Sequence, residues 1–114
     1  MQQTGSRVVE LPKGRGTVSQ NGVTIAQVRY SLQVVQQYAT SVDHDGSSEV
    51  ELFRSASGTV WSEDGADLFG KDDLMLHLSD GRSVHVLVTS KRLGSLAYPV
   101  VCSGPFLPAP PKAD

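Results

Sequence analysis

The chain has one cysteine, one tryptophan and only 6% aromatic residues. A single thiol cannot form an internal disulfide, which excludes a secreted disulfide scaffold and favours a reducing compartment. No hydrophobic run is long enough to span a bilayer, and the first residues lack the apolar segment of a signal peptide. We therefore expect a cytoplasmic protein that makes no membrane contact.

The sequence also lacks a specific motif for catalysis, metal binding or phosphate binding. Cys102 lies in an apolar segment, where a buried and unreactive thiol is the ordinary case. Ser55 and Ser57 lack the flanking glycines of a nucleophile elbow. Gly14-Arg15-Gly16 is not followed by the Lys-Ser/Thr pair of a phosphate-binding loop. We expect no enzymatic activity, no cofactor and no metal.

The charge of the chain is unevenly distributed. The 114 residues suit one domain, and 39% hydrophobic with 19% charged residues is typical of soluble globular proteins. The net charge is −2, yet ten acidic residues between positions 43 and 80 stand against only Arg54 and Lys71. Residues 7–29 carry four cations and one acid. If the fold brings the flanking strands together, the molecule has an acidic and a basic side.

Alternation of apolar and polar residues predicts an all-β fold. This two-residue period, which is typical of half-buried strands, predicts strands near 7–11, 14–20, 23–38, 49–61, 73–79, 82–90 and 97–102. Asn21-Gly22 and Asp80-Gly81 predict hairpins, because left-handed turn conformations cost least for Gly, Asn and Asp. We expect a small six- to seven-stranded antiparallel β-barrel that spans residues 1–103 as a single domain, followed by a proline-rich extended tail at 104–114.

The hairpin at Asp80-Gly81 allows the strand register to be predicted. A three-residue loop that includes Ser79 pairs Leu76 with Val84, so that the leucines of one strand and the valines of the next face the same core. A two-residue loop puts the two apolar sets on opposite faces. The longer loop is therefore the predicted one.

Two further irregularities are predicted in the first half of the chain. The tight turn at Asn21-Gly22 sets Val18 opposite Ile25. The adjacent Val34-Val35 pair breaks the alternation of its strand, which predicts a bulge or a strong bend. Such a bend helps a sheet to curl into a barrel.

A short helix is predicted between the middle strands. Ser62 can cap it, the acids that follow suit its first turn, and Gly70 can end it. Leu68 and Phe69 then plug one open end of the barrel. The resulting order of strands and helix resembles that of an OB-type barrel.

Two histidines share one outward strand face. The predicted register sets His77 opposite Ser83 and His85 opposite Met75, so the two imidazoles are diagonal neighbours. That spacing allows a shared metal, provided that His44 or an acidic side chain supplies a further ligand. Two unliganded histidines on a wet strand face are the more common arrangement.

One set of side chains indicates a binding surface. In strand 49–61, Phe53 and Trp61 have the parity opposite to the apolar set of Val50, Leu52, Ala56 and Val60. If that even set forms the core, both aromatics point outward, where Tyr38 joins them and Arg54 lies beside them. The alternative is a second bulge that turns Trp61 inward, or a strand covered on both faces.

These residues lead to two hypotheses about function. The first is a non-enzymatic interaction domain that binds a protein partner, or a second copy of itself, through Phe53, Trp61, Tyr38 and Arg54. The alternative is an OB-like domain that binds single-stranded nucleic acid, in which the aromatic side chains stack on bases and Arg29, Arg54 and Arg82 contact phosphates. Nucleic acid is the less favoured partner, because the strand that carries the aromatics is acidic.

Overall fold

The computed structural model describes residues 2–43, 46–91 and 94–109. They form seven antiparallel strands: β1 (Gln2–Glu10), β2 (Lys13–Gln20), β3 (Val23–Asp43), β4 (Gly46–Ser62), β5 (Leu74–His77), β6 (Ser83–Val88) and β7 (Ala97–Leu107). The prediction of an all-β antiparallel fold is confirmed. This described part of the chain contains no helix, and hence none that could cross a membrane.

Six strands close into a ring. Their order is β3-β2-β5-β6-β7-β4, and the pairing of β4 with β3 closes the ring. β1 lies outside the ring because it pairs with the second half of β3, from Val34 to Ser41. Since β7 pairs with β4 only from Ala56 onward, β1 and the outer halves of β3 and β4 project as a three-stranded sheet. We call residues 2–10, 34–43 and 46–55 the arm.

The core fills the inside of the ring. Alternate residues of β3, namely Ala26, Val28, Tyr30 and Leu32, point into it and are buried. The remaining core residues come from the other five strands of the ring and from the two loops that flank β5: Val18, Val60, Leu68, Leu74, Leu76, Leu78, Val84, Val86, Tyr98 and Val100. The hydroxyl of Tyr30 accepts a hydrogen bond from the backbone N–H of Ser79 at 3.0 Å, so its buried oxygen is satisfied.

No described strand forms a second layer over the arm, and most of its large apolar residues are exposed: Val8, Val9, Val42, Val50, Leu52 and Phe53, but not Val34. The prediction that the even residues of β4 are core is right for Ala56 and Val60, which lie in the ring. It is wrong for Val50 and Leu52, which lie in the arm and are 58% and 50% exposed. β4 contains one extra residue opposite positions 36–38 of β3, so the parity of its two faces reverses there: Val60 pairs with the buried Tyr30, whereas Val50 pairs with Ala39 on the other face of the sheet.

The turn predicted at Asn21-Gly22 is present. Both residues have positive φ, 52° and 82°, as a two-residue turn with this handedness requires. The predicted pairing of Val18 with Ile25 is wrong. Val18 pairs with Ala26, because the register shifts after Val18 and β3 contains one extra residue at that point.

The register predicted for β5 and β6 is confirmed. Leu76 pairs with Val84, and the backbone N–H of Leu78 donates to the carbonyl of Arg82 at 2.8 Å. The backbone N–H of Gly81 donates to the carbonyl of Leu78 at 3.1 Å, and Gly81 has a φ of 95°. A three-residue loop with glycine in the left-handed region therefore closes this hairpin.

The predicted short helix between positions 62 and 70 is wrong. The carboxylate of Asp64 accepts the backbone N–H of Ala66 at 3.2 Å, and that of Asp67 accepts the backbone N–H of Phe69 at 3.0 Å. Each acid thus binds the N–H two residues further along, in a turn that competes with helix formation. The acids that suggested a helix cap make local turns instead.

The segment after β4 is nevertheless anchored to the ring. Asp64 also accepts the backbone N–H of Gln27 at 2.9 Å, and the backbone N–H of Glu63 donates to the carbonyl of Gln27 at 2.8 Å. Leu68 is buried in the core, as the plug prediction requires, whereas Phe69 is exposed. One of the two predicted plug residues therefore closes the ring's end.

Two other local features differ from a regular sheet. β3 pairs regularly with β4 at Val34 and Val35, and the irregularities lie beside them, in β1 between Val8 and Glu10 and in β4 opposite 36–38. β7 continues through residues 104–107, which belong to the segment predicted as a tail, and pairs there with β6. The last part of that segment, 110–114, lies outside the described residues.

The first prediction tests the β5–β6 hairpin. Leu76→Asp places an unpaired charge at a fully buried position and should cost several kcal/mol, enough to unfold a small domain. His85→Asp, at an exposed position of the neighbouring strand, should change the unfolding free energy by less than about 0.5 kcal/mol. Urea denaturation of both variants measures the difference. Equal destabilisation contradicts the described register.

The second prediction concerns Asp64. The hydrogen bond from the Gln27 N–H holds the pKa of this carboxyl below its ordinary value. A lowered folded-state pKa stabilises the protein at a pH above the unfolded-state pKa, about 3.9, and this contribution disappears as the pH falls through the folded-state pKa. Asp64→Asn should therefore be less stable than the wild type at neutral pH, and the difference should shrink in acid. A pH-independent difference in urea midpoint contradicts this role.

Candidate functional site

The four predicted binding residues do not form one surface. Phe53 lies in the arm and is 61% exposed, whereas Trp61 lies in the ring and is half-buried. Eight positions separate them along β4, which is roughly 26 Å in an extended strand. They therefore belong to two different candidate sites.

Tyr38 and Arg54 lie together on one face of the arm. Tyr38 pairs with Glu51, and Arg54 pairs with Gln36, which is two residues from Tyr38 along β3. The guanidinium of Arg7 lies 4.6 Å from the centre of the Tyr38 ring, and the Arg54 Nε donates to the Gln36 Oε1 at 2.7 Å. Both predicted residues are thus held by contacts within the arm.

The outer edge of β4 is the first candidate site. All residues from Gly46 to Ser55 are exposed, and among the described strands none pairs with this edge, since β7 joins β4 only at Ala56. A bulge in this stretch places Leu52 and Phe53 opposite a single residue of β3. An uncovered edge with apolar side chains can pair with another chain. We call residues 46–55 the arm edge.

The outer face of β2, β3 and β4 is the second candidate site. Arg15, Arg29 and Trp61 are direct neighbours across the three strands, and the Arg29 guanidinium lies 5.0 Å from the centre of the Trp61 ring. Lys13 is two residues from Arg15 on the same face of β2. These four side chains line a shallow cleft of about 480 Å³. We call Lys13, Arg15, Arg29 and Trp61 the platform.

The platform is basic because, among the described residues, a single acid forms an ion pair with it. Glu63 lies 3.4 Å from the Nε of Arg15, whose side chain remains 79% exposed. The outward residues of β3 and β4 around the platform are uncharged: Gln27, Ser31, Gln33, Ser57 and Thr59. Three cations therefore face solvent with little local compensation. Trp61 and Arg29 were both named from the sequence, Arg29 as a phosphate contact of the nucleic-acid alternative, but Lys13 and Arg15 were not.

Arg82 is a cation of a different kind. Its Nε donates to Asp80 at 2.9 Å and its terminal nitrogens bind Glu10. The hydrogen bond from Arg82 lowers the pKa of both carboxyls, and those hydrogen bonds raise the pKa of Arg82. Its guanidinium also lies 5.1 Å from the ring centre of Phe106. Arg82 therefore joins β1, the β5–β6 loop and β7.

One cavity in the described structure is lined by both predicted histidines. It has a volume of about 670 Å³, and its lining includes His77, His85, Asp73 and Ser19. The predicted pairing of His77 with Ser83 and of His85 with Met75 is confirmed. Among the described residues, no group of three His, Cys, Asp or Glu side chains is placed to hold a metal ion; His44 lies outside them.

Ser19 is a residue that sequence reasoning missed. It is buried, and its Oγ lies 2.7 Å from the Nε2 of His77. The contact depends on the pairing of β2 with β5, which connects strands far apart in the chain and leaves no local sequence signal. A serine–histidine hydrogen bond is one element of a nucleophile–base pair. It also satisfies the hydrogen-bonding groups of two polar side chains on neighbouring strands.

The thiol of Cys102 is a weak nucleophile. It is half-buried, and burial raises its pKa to about 11. At neutral pH the group is therefore protonated, whereas the reactive form of cysteine is the thiolate. This agrees with its position beside the core.

Comparisons of the chain with protein-family models, with curated proteins and with solved structures find no match.

The third prediction uses Trp61, the only tryptophan of the chain, as a reporter of the platform. Arg29→Ala removes the guanidinium that lies on its ring, so neutral quenchers should reach the indole more easily. Acrylamide quenching of the intrinsic fluorescence should increase relative to the wild type. Arg54→Ala is the matched control, because Arg54 pairs with Gln36 in the arm. Unchanged quenching in Arg29→Ala contradicts the described stacking.

Proposed function

We propose that the protein is a non-enzymatic interaction domain, a small β-barrel with a projecting arm, and that the arm edge pairs with the arm edge of a second copy. The observation that carries this proposal is the run of ten consecutive exposed residues in β4, from Gly46 to Ser55. Proteins normally cover, shorten or pair such an edge. Here the edge is about 33 Å long by strand rise and remains open.

The side chains of the arm edge support pairing with another strand. Val50, Leu52 and Phe53 are all at least half-exposed. Addition of a strand to this edge satisfies backbone N–H and C=O groups and brings apolar side chains into cross-strand contact. A strand from another polypeptide is therefore the partner that this edge fits.

The charges of the arm edge favour a second copy as that partner. The edge carries Glu51 before its bulge and Arg54 after it, on one face of the sheet. In an antiparallel two-fold pairing centred between Leu52 and Phe53, Glu51 of each copy lies opposite Arg54 of the other. Opposite charges in directly opposed positions stabilise a strand pair.

The expected dimer is weak. A pairing of about ten residues per copy buries less than the roughly 800 Å² per partner of a standard interface. The edge also carries two acids and a bulge, features that limit indiscriminate edge pairing. We therefore expect a concentration-dependent equilibrium between monomer and dimer.

The fourth prediction tests the arm edge by sedimentation equilibrium. The wild type should show a monomer–dimer equilibrium, and Phe53→Asp should shift it to monomer. Glu51→Arg and Arg54→Glu should each weaken the dimer by about tenfold, because an isologous interface contains the pair twice. The double variant restores opposite charges and should restore the affinity.

The matched control is Leu87→Asp, an equally exposed apolar residue of the ring, which should leave the equilibrium unchanged. A wild type that stays monomeric at all accessible concentrations refutes the proposal. Loss of the dimer in Val8→Asp but not in Phe53→Asp assigns the interface to β1 and also refutes pairing through β4.

A further inference from the structure

The platform differs from the arm edge in both shape and charge. It lies on the ring, on the outer face of three adjacent strands, and its cations are spread over β2 and β3 instead of converging on one point. Lys13 and Arg15 are two residues apart on β2, about 7 Å by strand rise, and Arg29 is on the next strand, about 5 Å away. An extended chain of anionic groups fits this arrangement better than a single small anion.

Trp61 adds a flat aromatic surface beside these cations. It is the end of the row that begins with Arg15 and continues with Arg29. Its half-exposed ring is already oriented by the Arg29 guanidinium at 5.0 Å. Aromatic rings and arginine planes are the groups on which unpaired nucleobases stack.

We infer that the platform binds single-stranded nucleic acid. A base stacks on Trp61 and Arg29, and successive phosphates contact Arg15 and Lys13. Single strands have both the unpaired base and the regularly spaced phosphates that this surface requires. The platform does not include the arm edge, so this inference is independent of the proposed dimer.

The electrostatics of the site make binding dependent on salt. Three exposed cations face one acid, Glu63, which contacts Arg15, while the whole chain has a net charge of −2. Binding thus relies on a local basic surface, and phosphate contacts of this kind weaken as salt concentration rises. Modest affinity at low ionic strength is the expected behaviour.

The cations of the platform differ from the three arginines that the nucleic-acid hypothesis named as phosphate contacts. Arg29 is part of the platform. Arg54 lies on the arm, hydrogen-bonded to Gln36, and Arg82 is held by Glu10 and Asp80. The structure therefore replaces two of the three expected phosphate contacts with Lys13 and Arg15.

The fifth prediction is tested by fluorescence anisotropy with labelled oligothymidylate at low salt. The wild type should bind, and binding should quench Trp61. Trp61→Leu and Arg29→Ala should each weaken binding by about tenfold or more, and Trp61→Phe should retain most of it. Lys13→Ala should reduce the slope of log affinity against log salt by about 0.7.

Arg7→Ala is the control, since it removes a cation from the arm and leaves the platform intact; its affinity should equal that of the wild type. All variants must have the wild-type urea midpoint to be compared. Equal affinity of the platform variants and the wild type overturns the inference. So does tighter binding of duplex DNA, or equally tight binding of polyglutamate without quenching, because either outcome shows that base stacking is not part of the site.

Discussion

The antiparallel pairing of β3 with β4 extends from the ring to the tip of the arm, with one bulge on the way. Along its first half the other four strands of the ring cover the inner face, so Val60 is buried in the core. Along its second half only β1 is added, beside β3, and Val50 on the same strand is exposed. The bulge reverses the parity of β4, so its even-numbered residues face the core in the ring and the opposite, uncovered face in the arm. Both proposed sites include this strand pair: the platform lies on its outer face in the ring and extends onto β2, and the arm edge lies where β7 no longer pairs with β4.

The structural features that the sequence predicted correctly are set by interactions between residues close together in the chain. The hairpins at Asn21-Gly22 and Asp80-Gly81 follow from turn residues whose backbone preferences act within a few positions. The helix failed because Asp64 and Asp67 bind nearby backbone N–H groups, which a helix cap and a turn both allow. The contact of Ser19 with His77 was out of reach, because it depends on the pairing of β2 with β5, which no local pattern specifies. The platform could be predicted only in part for the same reason. The outward orientation of Trp61 follows from the alternation along its own strand, but which residues lie beside it depends on the pairing of β4 with β3 and of β3 with β2.

The arginines show why composition alone could not assign the basic surface. Arg82 is surrounded by carboxylates from two segments and serves to connect them. Arg54 donates to a buried glutamine, and Arg7 lies on a tyrosine ring and pairs with Glu49. Arg29 instead lies on the only tryptophan, next to Arg15 across the sheet. Arginines with the same formal charge thus have different roles in the structure. The role of each depends on whether the fold places carboxylates close enough to pair with it.

The closed ring has a consequence for how the chain folds. Its closing contacts join positions 17–20 to 74–77 and 56–61 to 97–102, whereas the arm hairpin pairs β3 with β4, which are consecutive along the chain. Contacts between distant segments form slowly, because loop entropy must be lost before they contribute any stability. The arm hairpin should therefore form early, while the core is still open, and its unpaired edge is then present in a partly folded chain. Chain concentration during folding, more than the stability of the finished ring, should determine how much protein reaches the native state.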